Sequence, residues 1–339
     1  MYNVSMSYKA HKRAGVAERI RAATKELGFH AAGIASVESV LCLARKLGLP
    51  RRRFDLQTAI PGAKSAICVA LSYLSNAECG MRSAECSNSP STINHQLSTN
   101  AECGARNAES GIRNSESLSV VARFARGTDY HKALEFRMER LAERLRGEFG
   151  GFQYRICVDT GPINDRACAY AAGLGSFGKN TCIITPEYGS WIVLGELVTD
   201  LELEPDEARE LEVCGDCRLC VEACPTGALR GDFTIDRSRC LSGVTQRKKT
   251  PTPELAARLG NRIYGCDTCQ EVCPLNAGVK VTDIPEFLAE NAVGAYPDSA
   301  MLAEMTDEDF ERLFGDTTMK WVGREVIARN ARNALLNHG

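Results

Sequence analysis

The sequence predicts an α+β protein in three parts, and three observations support this prediction. Apolar residues recur at helical spacing in several segments of the first part. Short continuous apolar runs, such as residues 66–71, are typical of buried strands, so we expect a mixed sheet with flanking helices. Cysteines concentrate between Cys214 and Cys273, ahead of a short helical tail. The predicted domains are residues 1–205, 206–285 and 286–339.

The composition is that of a globular chain of about two domains. The 339 residues are 44% hydrophobic and 25% charged, and the net charge of −2 leaves nucleic-acid contacts to local basic patches. Residues 1–13 are polar, and no apolar run reaches the ~18 residues of a spanning helix. We therefore expect a cytoplasmic protein with no membrane partner. In that reducing compartment, 16 cysteines favour metal ligation over disulfide bonds.

The first elements of the chain are two helices and a strand. An apolar stripe predicts a helix over residues 16–27, and a second helix follows Ser36 and ends before Pro50. After a turn at residues 61–62, the apolar run 66–71 predicts a buried strand. The residues that we expect to face inward on the second helix are Val40, Leu43, Ala44 and Leu47.

Residues 76–117 form a low-complexity tandem repeat of seven-residue units. The units lack apolar positions at heptad spacing, which excludes a coiled coil, and we expect a disordered surface insertion. Its three cysteines, Cys79, Cys86 and Cys103, are interpreted as copies made with the repeat, with metal binding as the alternative.

The remaining elements follow from the same patterns. Helices are predicted from Tyr130 onward, over 166–172, from Thr306 to a stop at Gly315, and over about 323–336. Asp309 forms a predicted capping box with Thr306. Strands are predicted over 154–158, 182–184 and 191–198. The inward residues of the helix from Tyr130 are Leu134, Met138, Leu141 and Leu145.

The cysteine spacing indicates two 4Fe-4S clusters. Cys214-x2-Cys217-x2-Cys220-x3-Cys224-Pro is the bacterial ferredoxin spacing, in which the fourth thiolate binds the other cluster. The second half, Cys266-x2-Cys269-x3-Cys273-Pro, has Ile263 where its first cysteine would fall, so Cys240 is the predicted replacement. The alternative, zinc, calls for four ligands and not for the extra cysteines. The predicted ligand sets are Cys214, Cys217, Cys220 and Cys273 for one cluster, and Cys224, Cys240, Cys266 and Cys269 for the other.

Two features ahead of the clusters are candidates for chemistry. Residues 173–178 match G-x-G-x-x-G, but the predicted order of helix, loop and strand argues against a dinucleotide site. Asp159 lies between a strand and a turn, where it is either a proton donor or an Asx-turn residue. We expect the other cysteines of the first part to pack in the core, namely Cys42, Cys68, Cys157, Cys168 and Cys182.

Several segments, taken together, resemble epoxyqueuosine reductases. They are RFA-x-G-x-DYH at 123–131, VDTG at 158–161, NDR at 164–166, GKN at 178–180, PEYGSW at 186–191, LGE at 194–196, CGDC at 214–217, CPTGAL at 224–229 and NRIYGCDTCQ at 261–270. The resemblance implies reduction of epoxyqueuosine to queuosine at the tRNA wobble position, by two electrons with loss of water. It also implies that an external donor supplies electrons, which pass through two 4Fe-4S clusters to cobalamin. The cobalamin would bind in the first domain without a histidine ligand, and the protein would be a monomer.

The resemblance also implies roles for individual residues. Asp159 would be the proton donor, and Asn164, Asp165 and Arg166 would face the modified nucleotide. Positions expected near cobalamin are Arg53, Ala122, Asp159, Gly178, Lys179, Ile183, Ser190 and Ser242. Candidate phosphate contacts are Arg247, Lys248, Lys249, Lys320, Arg324, Arg329 and Arg332.

Three further expectations concern RNA binding and the alternative functions of the chain. Many members of the family carry a further helical repeat that grips tRNA, so we expect weaker, salt-sensitive binding here. One alternative function is a cobalamin and iron–sulfur reductase of small molecules, similar to reductive dehalogenases. The other is an electron-transfer protein without catalytic activity.

Overall fold

The computed structural model describes residues 15–76, 118–288 and 294–338. Its strands are β1 (Ala31–Ser36), β2 (Ser65–Ser72), β3 (Val120–Val121), β4 (Tyr154–Cys157), β5 (Ser176–Phe177), β6 (Ile183–Ile184), β7 (Ile192–Thr199) and β8 (Arg262–Tyr264). Its α-helices are α1 (residues 15–26), α2 (Val37–Lys46), α3 (Tyr130–Phe149), α4 (Asp165–Ala171), α5 (Leu219–Glu222), α6 (Leu241–Thr245), α7 (Pro253–Leu259), α8 (Thr268–Glu271), α9 (Ser299–Glu304), α10 (Asp307–Phe314) and α11 (Arg324–His338).

The first part of the chain is organised around a four-stranded sheet in the order β1-β2-β7-β4. Every neighbouring pair in this sheet is antiparallel, so the prediction of a mixed sheet was wrong. Helix α2 connects β1 to β2, but it returns the chain so that β2 runs back beside β1, instead of crossing over to a parallel neighbour. The long central strands β2 and β7 hold the sheet together along eight paired positions.

Helices cover both faces of this sheet. One core combines α1 and α3 with one face, and all four inward residues predicted for α3 are buried there. The other core combines α2 and α4 with the opposite face. Val40, Leu43 and Ala44 are buried as predicted, but Leu47 is 41% exposed because α2 ends at Lys46 and Leu47 is its C-cap.

The cysteine-dense part and the tail meet on a short parallel ribbon. Strand β3 pairs with β8 over Val120–Arg262 and Val121–Tyr264, although β3 lies in the first predicted domain. Helices α10 and α11 pack on this ribbon in a third core that includes Phe314. Residues 118–126 are thus connected to the cysteine-dense part through the pairing of β3 with β8. The limits of the three predicted domains remain a prediction.

Two of the tail helices, α10 and α11, form as the sequence predicts, whereas α9 was not predicted. Thr306 accepts from the Asp309 backbone, Asp309 accepts from the Thr306 backbone, and α10 ends at its C-cap Gly315. The predicted insertion, apart from Asn76, lies outside the described residues. Among the residues that the structure describes, no helix is both long and apolar enough to cross a membrane.

Candidate active site

Asp159 follows the end of β4 in a strained backbone conformation. Its φ is +48°, in the left-handed region that a residue with a Cβ adopts at a cost of about 1–2 kcal/mol. The side chain is exposed, and its Oδ2 accepts a hydrogen bond from Tyr130 Oη at 3.2 Å. Strained residues of this kind concentrate at functional sites, and this one presents a carboxyl group.

Tyr130, the first residue of α3, is held by its neighbours. The N-cap Asp129 contacts His131 through Oδ1 and Nδ1 at 2.7 Å, and the His131 ring stacks on Tyr130 at 4.2 Å. Burial, and then the charge of Asp159, raise the pKa of Tyr130, so its hydroxyl keeps the proton that it donates. Burial opposes the charged form of His131, but the hydrogen bond and charge of Asp129 outweigh it and raise the pKa of His131.

A cavity of about 200 Å³, the Asp159 cavity, lies beside this pair. Predicted site residues that line it are Asp159, Asp165, Arg166, Ile183 and Ser190. Further lining residues are Tyr73, Phe124, Tyr130, Cys182, Ile192, Val193, Leu194 and Gln270. The lining therefore combines an apolar wall with an acidic edge.

Asp165 and Arg166 begin α4 at the edge of the cavity. Burial raises the pKa of Asp165, and the neighbouring Arg166 charge opposes that shift. Arg166 Nη1 donates to the Thr181 carbonyl at 2.8 Å, which ties this helix to the loop before β6. Asn164 is the N-cap, and its Oδ1 accepts from Ala167 N at 3.1 Å.

A buried hydrogen-bond network joins the cavity wall to the cysteine loops. Gln270 Nε2 donates to the Ser190 carbonyl at 2.9 Å and to Tyr73 Oη at 3.0 Å. Ser190 N donates to Asn276 Oδ1 at 2.7 Å. Gln270 follows Cys269, and Asn276 lies three residues after Cys273, so the network fixes the cysteine loops against the cavity. Neither Asn276 nor the role of Gln270 was predicted from the sequence. Gln270 ends the segment 261–270 that resembles the family, and the signal for Asn276 was its position close to Cys273.

The first predicted set of cysteines surrounds a second cavity. This cavity, the thiol cavity, has a volume of about 170 Å³, and all four thiols of the set line it: Cys214, Cys217, Cys220 and Cys273. Lys179 N donates to Cys214 Sγ at 3.3 Å, and Lys179 Nζ donates to the Cys217 carbonyl at 3.1 Å. Asn180 also lines the cavity, and its buried Nδ2 has no partner among the described residues. Four thiols and an unused donor around one cavity fit a 4Fe-4S cluster.

The second set of cysteines is also brought together. Burial raises the pKa of Cys240, and the nearby thiols of Cys266 and Cys224 add to that shift. Burial opposes the thiolate of Cys224, but backbone N–H groups of Thr226, Leu229 and Ala228 outweigh it and lower its pKa. In the described ranges, no three His, Cys, Asp or Glu residues converge on a single ion. Crowded thiols with backbone donors match the second predicted cluster set.

A buried ion pair fixes the segment before α3 to the second set. Arg123 Nη1 contacts Asp267 Oδ2 at 3.2 Å and Glu271 Oε1 at 2.6 Å, and its guanidinium lies 4.9 Å from the Trp191 ring centroid. Burial raises the pKa of Asp267, and the Arg123 charge opposes that shift. Asp267 lies between Cys266 and Cys269, so this pair positions the cysteine loop. Both residues lie in segments that resemble the family, at 123–131 and 261–270, but no motif predicted that they pair.

Other residues predicted near cobalamin lie outside the described lining of the Asp159 cavity. Arg53 Nη2 donates to the Ile163 carbonyl at 3.1 Å, and Ala122 is buried with its N–H on the Tyr264 carbonyl. Lys179 lines the thiol cavity instead. Gly178 packs closely against Asn180, since a Cβ at position 178 would come within 2.6 Å of Asn180 Oδ1. Ser242, two residues after Cys240, accepts from Gln246 Nε2 at 3.2 Å.

The prediction of five core cysteines was wrong for two of them. Cys68, Cys157 and Cys168 are buried, as expected, in the core that contains α2, α4 and one face of the sheet. Cys42 is exposed because it lies on the outer side of α2, and Cys182 lines the Asp159 cavity.

Most of the predicted phosphate-binding cations have protein partners. Arg324 pairs with Asp307 at 2.6 Å and Lys320 with Glu311 at 2.6 Å. Arg329 Nη1 donates to the Arg247, Lys248 and Lys249 carbonyls at 2.9–3.3 Å. Arg332 Nη2 donates to the Ala303 carbonyl, and Arg247 Nη1 to the Ser238 carbonyl, each at 3.0 Å. Arg329 thus supports a turn on which Lys248 and Lys249 are exposed.

The fold and site define an iron–sulfur oxidoreductase in which an exposed carboxyl group lines a cavity whose wall is hydrogen-bonded to the cysteine loops. The family model described as "4Fe-4S double cluster binding domain" matches residues 213–276, and the model "Epoxyqueuosine reductase QueG, DUF1730" matches residues 53–160. The chain is 33% identical to the epoxyqueuosine reductase of Gloeobacter violaceus, over 95% of this chain and 96% of that protein. It belongs to the epoxyqueuosine reductase family.

Other relatives agree with this assignment. The epoxyqueuosine reductase of Bacillus subtilis is 34% identical over 84% of this chain, which spans 66% of that protein. The solved Streptococcus thermophilus epoxyqueuosine reductase has a TM-score of 0.74 at 31% identity, covering 94% of this chain and 80% of that one. A crystal structure of an epoxyqueuosine reductase with an epoxyqueuosine-modified tRNA-Tyr stem loop has a TM-score of 0.76 at 30% identity, covering 96% and 82%.

Proposed function

We propose that this chain reduces epoxyqueuosine to queuosine at the wobble position of tRNA. The observation that carries the proposal is the position of Asp159: a strained, exposed carboxyl group, bonded by Tyr130, beside a cavity whose wall is tied to the cluster cysteines. The related enzyme solved with an epoxyqueuosine-modified stem loop supports the choice of substrate. The same proposal includes an external electron donor. It also places the protein in the cytoplasm with the tRNA, as a monomer.

Asp159 has the chemistry that the reaction needs from the protein. Conversion of the epoxide to the alkene takes two electrons and two protons and releases one water. Asp159 donates one proton to the departing oxygen, and Tyr130 Oη then donates to the carboxylate that remains. The second proton comes from solvent, because the Asp159 side chain is exposed.

The lining of the Asp159 cavity suits the edge of a flat macrocycle next to a polar substrate. Ile183, Ile192 and Leu194 form an apolar wall, and Ser190 is fixed beside them. We assign Ile183, Ser190 and Asp159 as the residues that flank cobalamin, which when bound supplies the reducing equivalents. Asp165, at the acidic edge, is positioned to face the modified nucleotide, and Arg166 holds that edge in place through Thr181.

The two sets of thiols give the electrons a route to this cavity. Gln270 and Asn276 connect the loops of both sets to Ser190. A cluster held by each set would therefore be connected to the cavity wall through Gln270 or Asn276, and it would supply electrons on that side of the cavity.

Turnover on a defined RNA tests the proposal. We would incubate anaerobically reconstituted protein, cobalamin and a strong reductant with an epoxyqueuosine-modified anticodon stem loop, and analyse nucleosides by mass spectrometry. The expected product has lost one oxygen and is queuosine. Full loading with iron and cobalt but no queuosine would overturn the proposal, and reduction of an organohalide under those conditions would favour the small-molecule alternative. Iron loading without cobalamin binding would favour electron transfer alone.

A further inference from the structure

Trp321 is a large aromatic side chain on the surface. It lies in the short 3-10 helix Thr318–Val322 between α10 and α11, and the residue is 62% exposed. The other tryptophan of the chain, Trp191, is fully buried. Tryptophan side chains gain much from burial, so an exposed indole on an ordered element indicates a binding surface.

The indole is held in one orientation by a hydrogen bond. Trp321 Nε1 donates to Tyr264 Oη at 2.8 Å, and Tyr264 Oη donates to the Thr318 carbonyl at 3.0 Å. Tyr264 is itself buried on β8. A ring that is already fixed loses little conformational entropy when a ligand stacks on it.

Aromatic contacts place Trp321 close to the Asp159 cavity. The Tyr264 ring lies 5.8 Å from Phe124, and Phe124 lies 6.3 Å from Tyr130, between ring centroids. Phe124 and Tyr130 both line the cavity, and Tyr130 bonds Asp159. Tyr264 therefore connects the two, because it bonds the exposed indole and contacts Phe124 of the cavity lining.

The charges beside Trp321 suit a nucleic-acid partner. Lys320 precedes it, and Arg324 follows three residues later. Their carboxylate partners are surface groups, Glu311 at 61% and Asp307 at 89% exposure. Surface ion pairs of this kind contribute little, so both cations can also contact a phosphate group.

We propose that Trp321 stacks on a nucleobase of the anticodon loop, next to the modified nucleotide that enters the Asp159 cavity. This inference rests on the proposed function. A nucleotide that leaves the loop for the cavity exposes one face of its neighbour, and a fixed indole that is connected to the cavity lining through Tyr264 can cover that face. Trp321 then determines how the RNA is held and takes no part in the proton transfer.

Binding to a stem loop tests this directly, without turnover. We would titrate reconstituted protein with an anticodon stem loop and follow tryptophan fluorescence, to which Trp321 and buried Trp191 contribute. The fluorescence of the wild type should be quenched when RNA binds. Trp321→Leu should bind the stem loop about 10-fold more weakly, as expected for the loss of one base–aromatic stack. Trp321→Phe should retain most of the affinity. The matched control is Phe136→Leu, because Phe136 is also 62% exposed but lies on α3 beside a different cavity.

Abasic RNAs identify the stacked base. A stem loop without the base on one side of the modified nucleotide should bind wild type and Trp321→Leu equally, because the stack is already absent. Equal affinities of wild type and Trp321→Leu for the intact stem loop overturn the inference, as does quenching by self-association without RNA. In turnover, KM should rise about 10-fold with kcat unchanged. A wild type that binds with quenching but forms no queuosine contradicts the proposed reaction and not the stacking.

Discussion

The hydroxyl of Tyr130 donates a hydrogen bond to Oδ2 of Asp159 across 3.2 Å. The two residues come from different elements, since Tyr130 begins α3 and Asp159 follows β4. The phenol is kept protonated by burial and by the carboxylate that it faces, both of which raise its pKa. This bond orients the proposed proton donor and stabilises the carboxylate that it becomes.

Tyr130→Phe should therefore slow turnover while leaving substrate binding intact. The substitution keeps the ring in its stack on His131 and removes only the hydroxyl. A hydrogen bond to a charged group contributes about 1.5–3 kcal/mol, so kcat should fall about 13- to 160-fold with KM unchanged, as measured by steady-state kinetics. The control is Tyr154→Phe, which removes a bond to Glu139 on the surface and should leave kcat unchanged. Wild-type kcat in Tyr130→Phe would show that the bond has no role in the reaction.

Replacing Cys240, which is predicted to take the place of the cysteine absent at Ile263, should remove one cluster. Cys240→Ser leaves the second set with three thiols, and iron per chain should fall from about eight to about four atoms by chemical analysis. Cys42→Ser is the matched control, because Cys42 is exposed on α2 and should retain full iron. Full iron in Cys240→Ser would place the fourth ligand elsewhere.

A buried carboxyl group on β7 should make stability depend on pH. Glu196 is 1% exposed, and neither Oε1 nor Oε2 has a partner among the described residues. Burial raises the pKa of Glu196 well above its usual range, and Asp165 and Asp159 add to the shift. The folded protein thus holds a proton that the unfolded chain releases above pH 4.5, so the free energy of unfolding falls as pH rises toward the folded pKa.

Glu196→Gln, which mimics the protonated acid, should remove this dependence. Thermal melts between about pH 6 and about pH 9 should show the wild type losing stability relative to Glu196→Gln. Glu304→Gln, at an exposed position on α9, should follow the wild type. If wild type and Glu196→Gln change in parallel with pH, Glu196 is not the responsible group.

The exposed lysines of the turn supported by Arg329 should contribute to RNA affinity through charge alone. Lys248→Ala and Lys249→Ala should each weaken stem-loop binding, and each should reduce the slope of log Kd against log salt by about 0.7–0.9. Lys25→Ala, exposed on α1, should leave the slope unchanged. An unchanged slope in the double variant would exclude this turn from the interface.

Local patterns predicted the helices better than the arrangement of the sheet. The α10 cap depends on Thr306 and Asp309, three residues apart, and both partners are visible in the sequence. Strand β1, which the sequence analysis did not predict, is defined by pairing with β2 from Ala31–Ala70 to Ser36–Ser65. Its antiparallel direction depends on the path of the intervening segment, which apolar periodicity does not encode.

The site shows the same division. The cysteine spacing predicted a set of four thiols that the structure places around one cavity. This was possible because, in the ferredoxin motif, the last cysteine of each half binds the cluster of the other half. The Arg123–Asp267 pair joins residues 144 positions apart, and the Ser190–Asn276 bond spans 86. No short motif marks such pairs, so the network that ties the clusters to the cavity emerged only from the fold.

The most direct test of the central role of Asp159 is single-turnover conversion of an epoxyqueuosine stem loop by matched variants. Asp159→Asn keeps the size of the side chain but cannot donate the acid proton, and its rate should fall about 100-fold or more with iron and cobalt retained. Asp200→Asn is the control, because Asp200 follows the far end of β7 and its Oδ1 accepts from Gln153 N, a bond that asparagine can also form. Conversion by Asp159→Asn at the rate of Asp200→Asn would contradict the account.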